Sequence, residues 1–113
     1  MDKMASGKDG ENFAAEYLES QGHEILERNF RNRTGEIDII SLKENTLFFV
    51  EVKTWQFPFV HPLETFDRKK QGKMRSLAKY FFYQKAWQES DFFVSFCLAY
   101  KGPDGFEFYT DLF

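Results

Sequence analysis

The stretch Gly35–Lys53, GEIDIISLKENTLFFVEVK, decides the fold. Two runs rich in β-branched and aromatic residues, Glu36–Leu42 and Leu47–Trp55, flank the polar segment Lys43-Glu44-Asn45-Thr46. That pattern predicts two strands joined by a turn. Four charged side chains, Glu36, Asp38, Glu51 and Lys53, interrupt the apolar ones. Strand side chains alternate faces, so Glu36 and Asp38 point one way, and Glu51 and Lys53 share a side. A four-residue hairpin loop places Leu42 opposite Leu47, Asp38 opposite Glu51 and Glu36 opposite Lys53. All four charges then lie on one face, with opposed Cβ atoms about 5 Å apart. A bulge would shift this register by one. Ile37, Ile39, Phe48, Val50 and Val52 form the other, core-facing side.

Working outward, Ser6 to Gln21 reads as a helix with Phe13, Ala14, Tyr17 and Leu18 at helical spacing. Ser6 is its expected N-cap and Gly22 its C-terminal stop. His23 to Phe30 reads as a strand. Phe57 to Leu63, with Pro58 and Pro62, reads as an irregular loop. A long helix is expected from Thr65 or Asp67 to Ala86, with Met74, Leu77, Ala78, Phe81 and Phe82 on one face. Asp91 to Tyr100 is short and apolar, a buried strand. Lys101–Gly105 is a turn signal, and Phe106 to Thr110 closes the chain as a last strand. The order αβββαββ is an α/β fold: one domain over residues 1–113, a mixed sheet flanked by helices.

Bulk properties narrow the classes. At 113 residues, 42% of them hydrophobic and 15 of them Phe, the chain has material for one core. A single cysteine, Cys97, rules out an internal disulfide, and a reducing, cytoplasmic setting is expected. The start, MDKMASGKDG, has no apolar core of a signal peptide. No apolar run approaches the roughly 18 residues of a membrane span, so no membrane association is expected. Net charge is −3, but unevenly spread: residues 28–88 hold twelve bases and six acids, between segments where acids dominate. A positive middle points to an anionic partner.

Two opposed carboxylates repel, so Asp38 facing Glu51 requires compensation. Mg²⁺ or Mn²⁺ would supply it, because hard cations take carboxylate oxygens, polarise phosphates and acidify bound water. Lys53 would stabilise the charge that develops at the reacting phosphate. Two carboxylates and a lysine thus form a minimal set for phosphodiester hydrolysis. Glu36 is a candidate to hold Lys53 in place. The alternative is a solvated sheet face carrying ordinary cross-strand charge pairs.

At these residues the chain resembles the PD-(D/E)XK nuclease superfamily, and more nearly the YraN-type family of predicted endonucleases, whose fold is similar to that of Holliday-junction resolvases. The matching parts are GKDGENFAAEYLESQGHEILERNFRNRTGEIDII, FFVEVKTW and HPLETFDRKKQGKM. The resemblance implies a restriction-endonuclease-like fold. It implies Asp38, Glu51 and Lys53 as catalytic residues and Asp38, Glu51 and Glu11 as metal ligands for Mg²⁺ or Mn²⁺. It also assigns supporting roles to Lys70 and Gln71 at the start of the second helix. Glu11 shares a helix side with Ala14, Ala15 and Leu18; it reads equally as a first-turn acid favouring the helix dipole. Lys70 faces inward near a phosphate or sits on a solvated helix. One departure stands out: Phe93 occupies the place of an expected acid, unless Asp91 substitutes for it.

Arg68, Lys69, Lys70, Lys73, Arg75 and Lys79 place six bases within twelve residues, and Arg28, Arg31 and Arg33 precede the motif strand. Arg31, Arg33, Arg68, Lys69 and Lys73 are the candidates for nucleic-acid backbone contacts, against the alternative of a solubilising surface. Trp55, Phe57 and Phe59 would stack on unpaired bases or pack within the protein. His23 and His61 have no partners at zinc-ligand spacing. Cys97 reads as simply buried. The expectation is a metal-dependent endonuclease acting on DNA, branched or damaged, with a homodimer suited to cutting two strands. The alternative is a binding module for nucleic acid or protein on the same fold.

Overall fold

The computed structural model describes residues 3–54 and 60–113, with side chains from Lys8 onward. Trp55, Phe57 and Phe59 lie outside the described residues. The elements run α1 (Lys3–Ser20), β1 (Glu24–Arg31), β2 (Glu36–Lys43), β3 (Thr46–Thr54), α2 (Arg68–Lys85), β4 (Phe93–Gly102) and β5 (Gly105–Tyr109). Short 3-10 turns at Pro62–Thr65 and Glu89–Asp91 bracket α2. This is the expected αβββαββ order.

The strands lie in sequence order in one five-stranded sheet. Only β3 and β4 are parallel; every other neighbour is antiparallel. The parallel pair follows from α2, because a β–helix–β crossover returns the chain in the same direction. One helix covers each face. Ala14, Ala15 and Leu18 of α1 pack on Ile39, Val50, Cys97 and Ala99. Met74, Leu77, Ala78, Phe81 and Phe82 of α2 pack on Phe30, Ile37, Ile40, Leu47, Phe49 and Phe96. Among the described residues most Phe side chains lie on the α2 side, where Phe81 meets Phe30 and Phe49 edge-on.

The helix ends follow local chemistry. Gly22, at φ 91°, closes α1: Gly22 N–H donates to Glu19 and His23 N–H to Leu18, at 3.0 and 2.9 Å. This is a Schellman stop, which a glycine adopts without a Cβ penalty. Asp67 caps α2 by accepting from Lys70 N–H at 2.8 Å. Ser6 does not cap α1, because the helix already runs from Lys3.

The central hairpin keeps the expected register, Leu42 opposite Leu47, on a tighter turn than expected. Lys43 pairs with Thr46, so only Glu44 and Asn45 form the loop, and Glu44 takes φ 56°. The charged end departs from expectation. The β2–β3 ladder stops at Ile39–Val50, short of the anticipated Asp38–Glu51 and Glu36–Lys53 pairs. Ile37 joins the α2 layer while Ile39 joins the α1 layer. Two residues apart on a regular strand they would share a face, so alternation breaks at Asp38. On the neighbouring strand Asn29 has φ 53°, a left-handed conformation that Asn tolerates better than most residues.

Candidate active site

The site lies where β2 and β3 part. Beyond the last ladder pair, β2 still pairs with β1 as far as Glu36, and β3 with β4 as far as Thr54. Between them the Asp38 carboxylate takes the place of a backbone acceptor: Val52 N–H donates to Asp38 Oδ2 at 2.7 Å. The break in alternation thus turns Asp38 into the seam between the two strands. The gap opens at the carboxyl end of the parallel pair, where α/β sheets commonly hold ligands.

Glu51 and Lys53 remain on one side of β3, the α2 side. Lys53 Nζ is 3.7 Å from Glu51 Oε1, and Lys70 of α2 donates to the same oxygen. The other oxygen, Oε2, is buried and has no partner. Lys70 therefore faces inward, and its ammonium also lies 5.5 Å from the Phe66 ring centre.

Glu11 approaches from α1. Asn29 Nδ2 donates to both of its oxygens at 3.2 and 3.1 Å, and Arg28 lies 3.9 Å away. Gly10 permits this approach, because a Cβ there would fall 2.4 Å from Thr54 Oγ1. Burial pushes the Asp38 carboxyl up to about 7 against the pull of its Val52 hydrogen bond, and the charges of Glu11, Glu51 and Glu36 raise it further. All four carboxylates thus bear on one buried position.

Their donor chemistry suits a hard divalent cation: carboxylate oxygens, one of them unpartnered, around an acid that resists ionising. They do not form a closed ligand set. Among the described residues no group of three or more His, Cys, Asp or Glu is gathered to hold an ion. Each of the three candidate ligands is engaged by the protein instead, Asp38 by Val52, Glu51 by Lys70 and Lys53, and Glu11 by Asn29.

The remaining candidates divide. Lys69 and Lys73, with Thr34, Glu36, Glu51, Thr65 and Lys70, line a cleft of about 370 Å³ beside Glu51. Glu36 pairs with Arg31 at 3.6 Å rather than with Lys53, because the lost ladder removes the facing position. Arg33 and Arg68 are exposed. Gln71 donates to Phe66 C=O at 3.0 Å, so it braces the entry to α2. Phe93 lies far from the carboxylates, exposed at the start of β4 beside Thr46. Asp91 does not take the absent acid's place; its carbonyl accepts from Asn45 at the hairpin turn.

The family model for the uncharacterised protein family UPF0102 matches residues 10–98. The chain belongs to that family. A UPF0102 protein of Leptospira interrogans is 46% identical over 113 residues, covering 98% of this chain and 97% of its own. One from Caldicellulosiruptor saccharolyticus is 45% identical over 82 residues, 72% of this chain and 70% of its own. One from Clostridium botulinum strain 657 is 40% identical over 88 residues, 77% and 72% of the two chains. The matched span of this UPF0102 chain contains every residue of the site, from Glu11 to Lys73.

Some neighbours escaped the sequence reading. Tyr100 pairs with Lys53 on one side and with Glu107 on the other, in one row across three strands. The Tyr109 hydroxyl donates to Glu107 and sits 3.5 Å from His61 Nε2. No local signal links Tyr100 to Lys53, because strand neighbours across a parallel pair are distant in sequence. Asn29 was more legible: Asn is one of the few residues besides Gly that readily takes a left-handed conformation within a strand. No helix among the described residues is long and apolar enough to cross a membrane.

Proposed function

We propose that this chain is a metal-dependent endonuclease of the PD-(D/E)XK type, hydrolysing DNA phosphodiester bonds. The observation that carries the reading is the seam itself: Asp38 accepts from Val52 N–H, one residue from Glu51, and Lys53 lies 3.7 Å from Glu51, where the sheet opens beside a lysine-lined cleft. Asp38 and Glu51 would hold Mg²⁺ or Mn²⁺, with Glu11 as a third ligand. Such an ion, when bound, supplies phosphate polarisation and a more acidic water. The protein's own part is to orient the phosphodiester. Lys69 and Lys73 attract its backbone charge into the cleft, and Lys53 offers an ammonium to the charge that develops on the reacting phosphate. Cutting both strands of a branched DNA requires two such sites, which a homodimer would bring together.

Cleavage is tested at low salt, where phosphate contacts are strongest. Linear, flapped and four-way DNA are offered with Mg²⁺ or Mn²⁺ to wild type, Asp38→Ala and Lys53→Ala. Cutting by wild type that both substitutions abolish supports the reading, and the preferred shape names the substrate. Equal cutting by all three, or none, refutes it. The second reading, a non-catalytic binding module for nucleic acid or protein, draws on the engagement of Glu51 by Lys70. It predicts DNA or protein binding that is indifferent to divalent metal.

A further inference from the structure

Glu51 is the point of conflict in this site. Its side chain is only 18% exposed. One oxygen carries two ammonium neighbours, Lys70 and Lys53, and the other is buried with none. A carboxylate withdrawn from water needs a cation, and in this structure Lys70 serves as that cation. Lys70 comes from α2, across the layer from β3, on a flexible four-carbon stem. Its backbone is fixed, because its N–H is bound to Asp67; only the side chain is free to move. The cleft with Lys69, Lys73 and Thr65 lies immediately beside it. Lys69 and Lys73 have no acid within ion-pair distance among the described residues. Three lysines around one cleft attract an anion, and only Lys70 is spoken for.

We infer that Lys70 is a resident cation that a divalent metal must displace from Glu51, and that a phosphate group entering the cleft draws it away. The inference rests on the metal-site reading above and adds its regulation. A phosphate in the cleft competes with Glu51 for the Lys70 ammonium. With the cleft empty it stays on Glu51 and weakens metal binding. With a phosphodiester in the cleft it has a second anion, and Glu51 becomes available to the metal. Metal and substrate then bind cooperatively, each raising the affinity for the other by the same factor. The metal-free protein is thereby guarded against ions that arrive without substrate.

The test measures Mn²⁺ binding directly, by the loss of the free-ion electron paramagnetic resonance signal. Wild type, Lys70→Met, Lys69→Met and Asp38→Ala are compared at constant ionic strength, in chloride and with sulfate as the phosphate stand-in, correcting for Mn²⁺–sulfate pairing. Lys70→Met is expected to bind Mn²⁺ about tenfold tighter than wild type and to lose any response to sulfate. Wild type should tighten on adding sulfate. Lys69→Met, which removes the same charge from the same cleft without touching Glu51, should change the affinity in chloride by less than about threefold. If Lys69→Met tightens binding as much as Lys70→Met, general charge is responsible and the displacement is refuted. Binding by wild type that Asp38→Ala removes but Lys70→Met leaves unchanged refutes the displacement alone. No Mn²⁺ binding by any of the four refutes the metal site and the displacement with it. Thermal melts of each variant establish that the proteins compared are folded.

Discussion

Replacing Asp38 with Asn should stabilise the protein at alkaline pH and make no difference in acid. The folded protein holds this carboxyl near 7, chiefly by burial, against a usual value of 3.8. In the unfolded chain it ionises from about pH 4; in the folded chain it does so only near 7. Between those values the folded state binds the extra proton. Stability therefore falls as pH rises through this window, by up to about 1.4 kcal/mol per pH unit. Above pH 7 both states are ionised and the loss is complete, on the order of 4 kcal/mol for a shift of this size. Asn keeps a carbonyl to accept from Val52 N–H and carries no charge. Asp38→Asn should thus be more stable than wild type by about 3–4 kcal/mol at pH 8, with the gap closing towards pH 4. Urea melts at pH 4.5, 6, 7 and 8 measure this, and an unchanged slope with denaturant keeps the comparison valid. Added Mn²⁺ should recover stability in wild type at pH 8 and not in the variant, because a bound cation offsets the repulsion. A variant no more stable than wild type at pH 8 would refute the claim that burying an ionised Asp38 carboxylate strains this seam. Such strain is characteristic of a site, where stability is surrendered to hold a charge out of water.

Other consequences follow from the packing. Burial raises the Cys97 thiol to about 12, so a thiol reagent at pH 8 should label the native protein only as fast as it opens, and denaturant should make labelling immediate. Asp67→Ala removes the cap on Lys70 N–H and should cost about 1 kcal/mol, read as a lower urea midpoint. Gly10→Ala drives a methyl group against Thr54 Oγ1. It should destabilise by about 1–3 kcal/mol, and Thr54→Ala in the same chain should restore most of that loss, since Oγ1 is buried without a partner.

The sequence was most legible where structure is local. The polar break between two apolar runs gave both central strands and the facing of Leu42 and Leu47, because alternation and a short turn fix register within a few residues. Gly22 and the face Met74–Leu77–Ala78–Phe81–Phe82 marked a helix end and a buried stripe for the same reason. The pairing of Asp38 with Glu51 did not survive, since alternation assumes an unbroken strand and nothing local announces the reversal between Ile37 and Ile39. The residue types at the site were visible in the sequence: three acids and two lysines in suggestive places. Their relations were not. Lys70 reaches Glu51 across 19 positions, Asn29 holds Glu11 across 18, and Tyr100 stands beside Lys53 only because β4 returns parallel to β3. Periodicity carries information over a turn of helix or a few strand residues. Which side chains meet across layers is decided by how α1 and α2 seat on the two faces of the sheet, and that packing belongs to the whole chain at once.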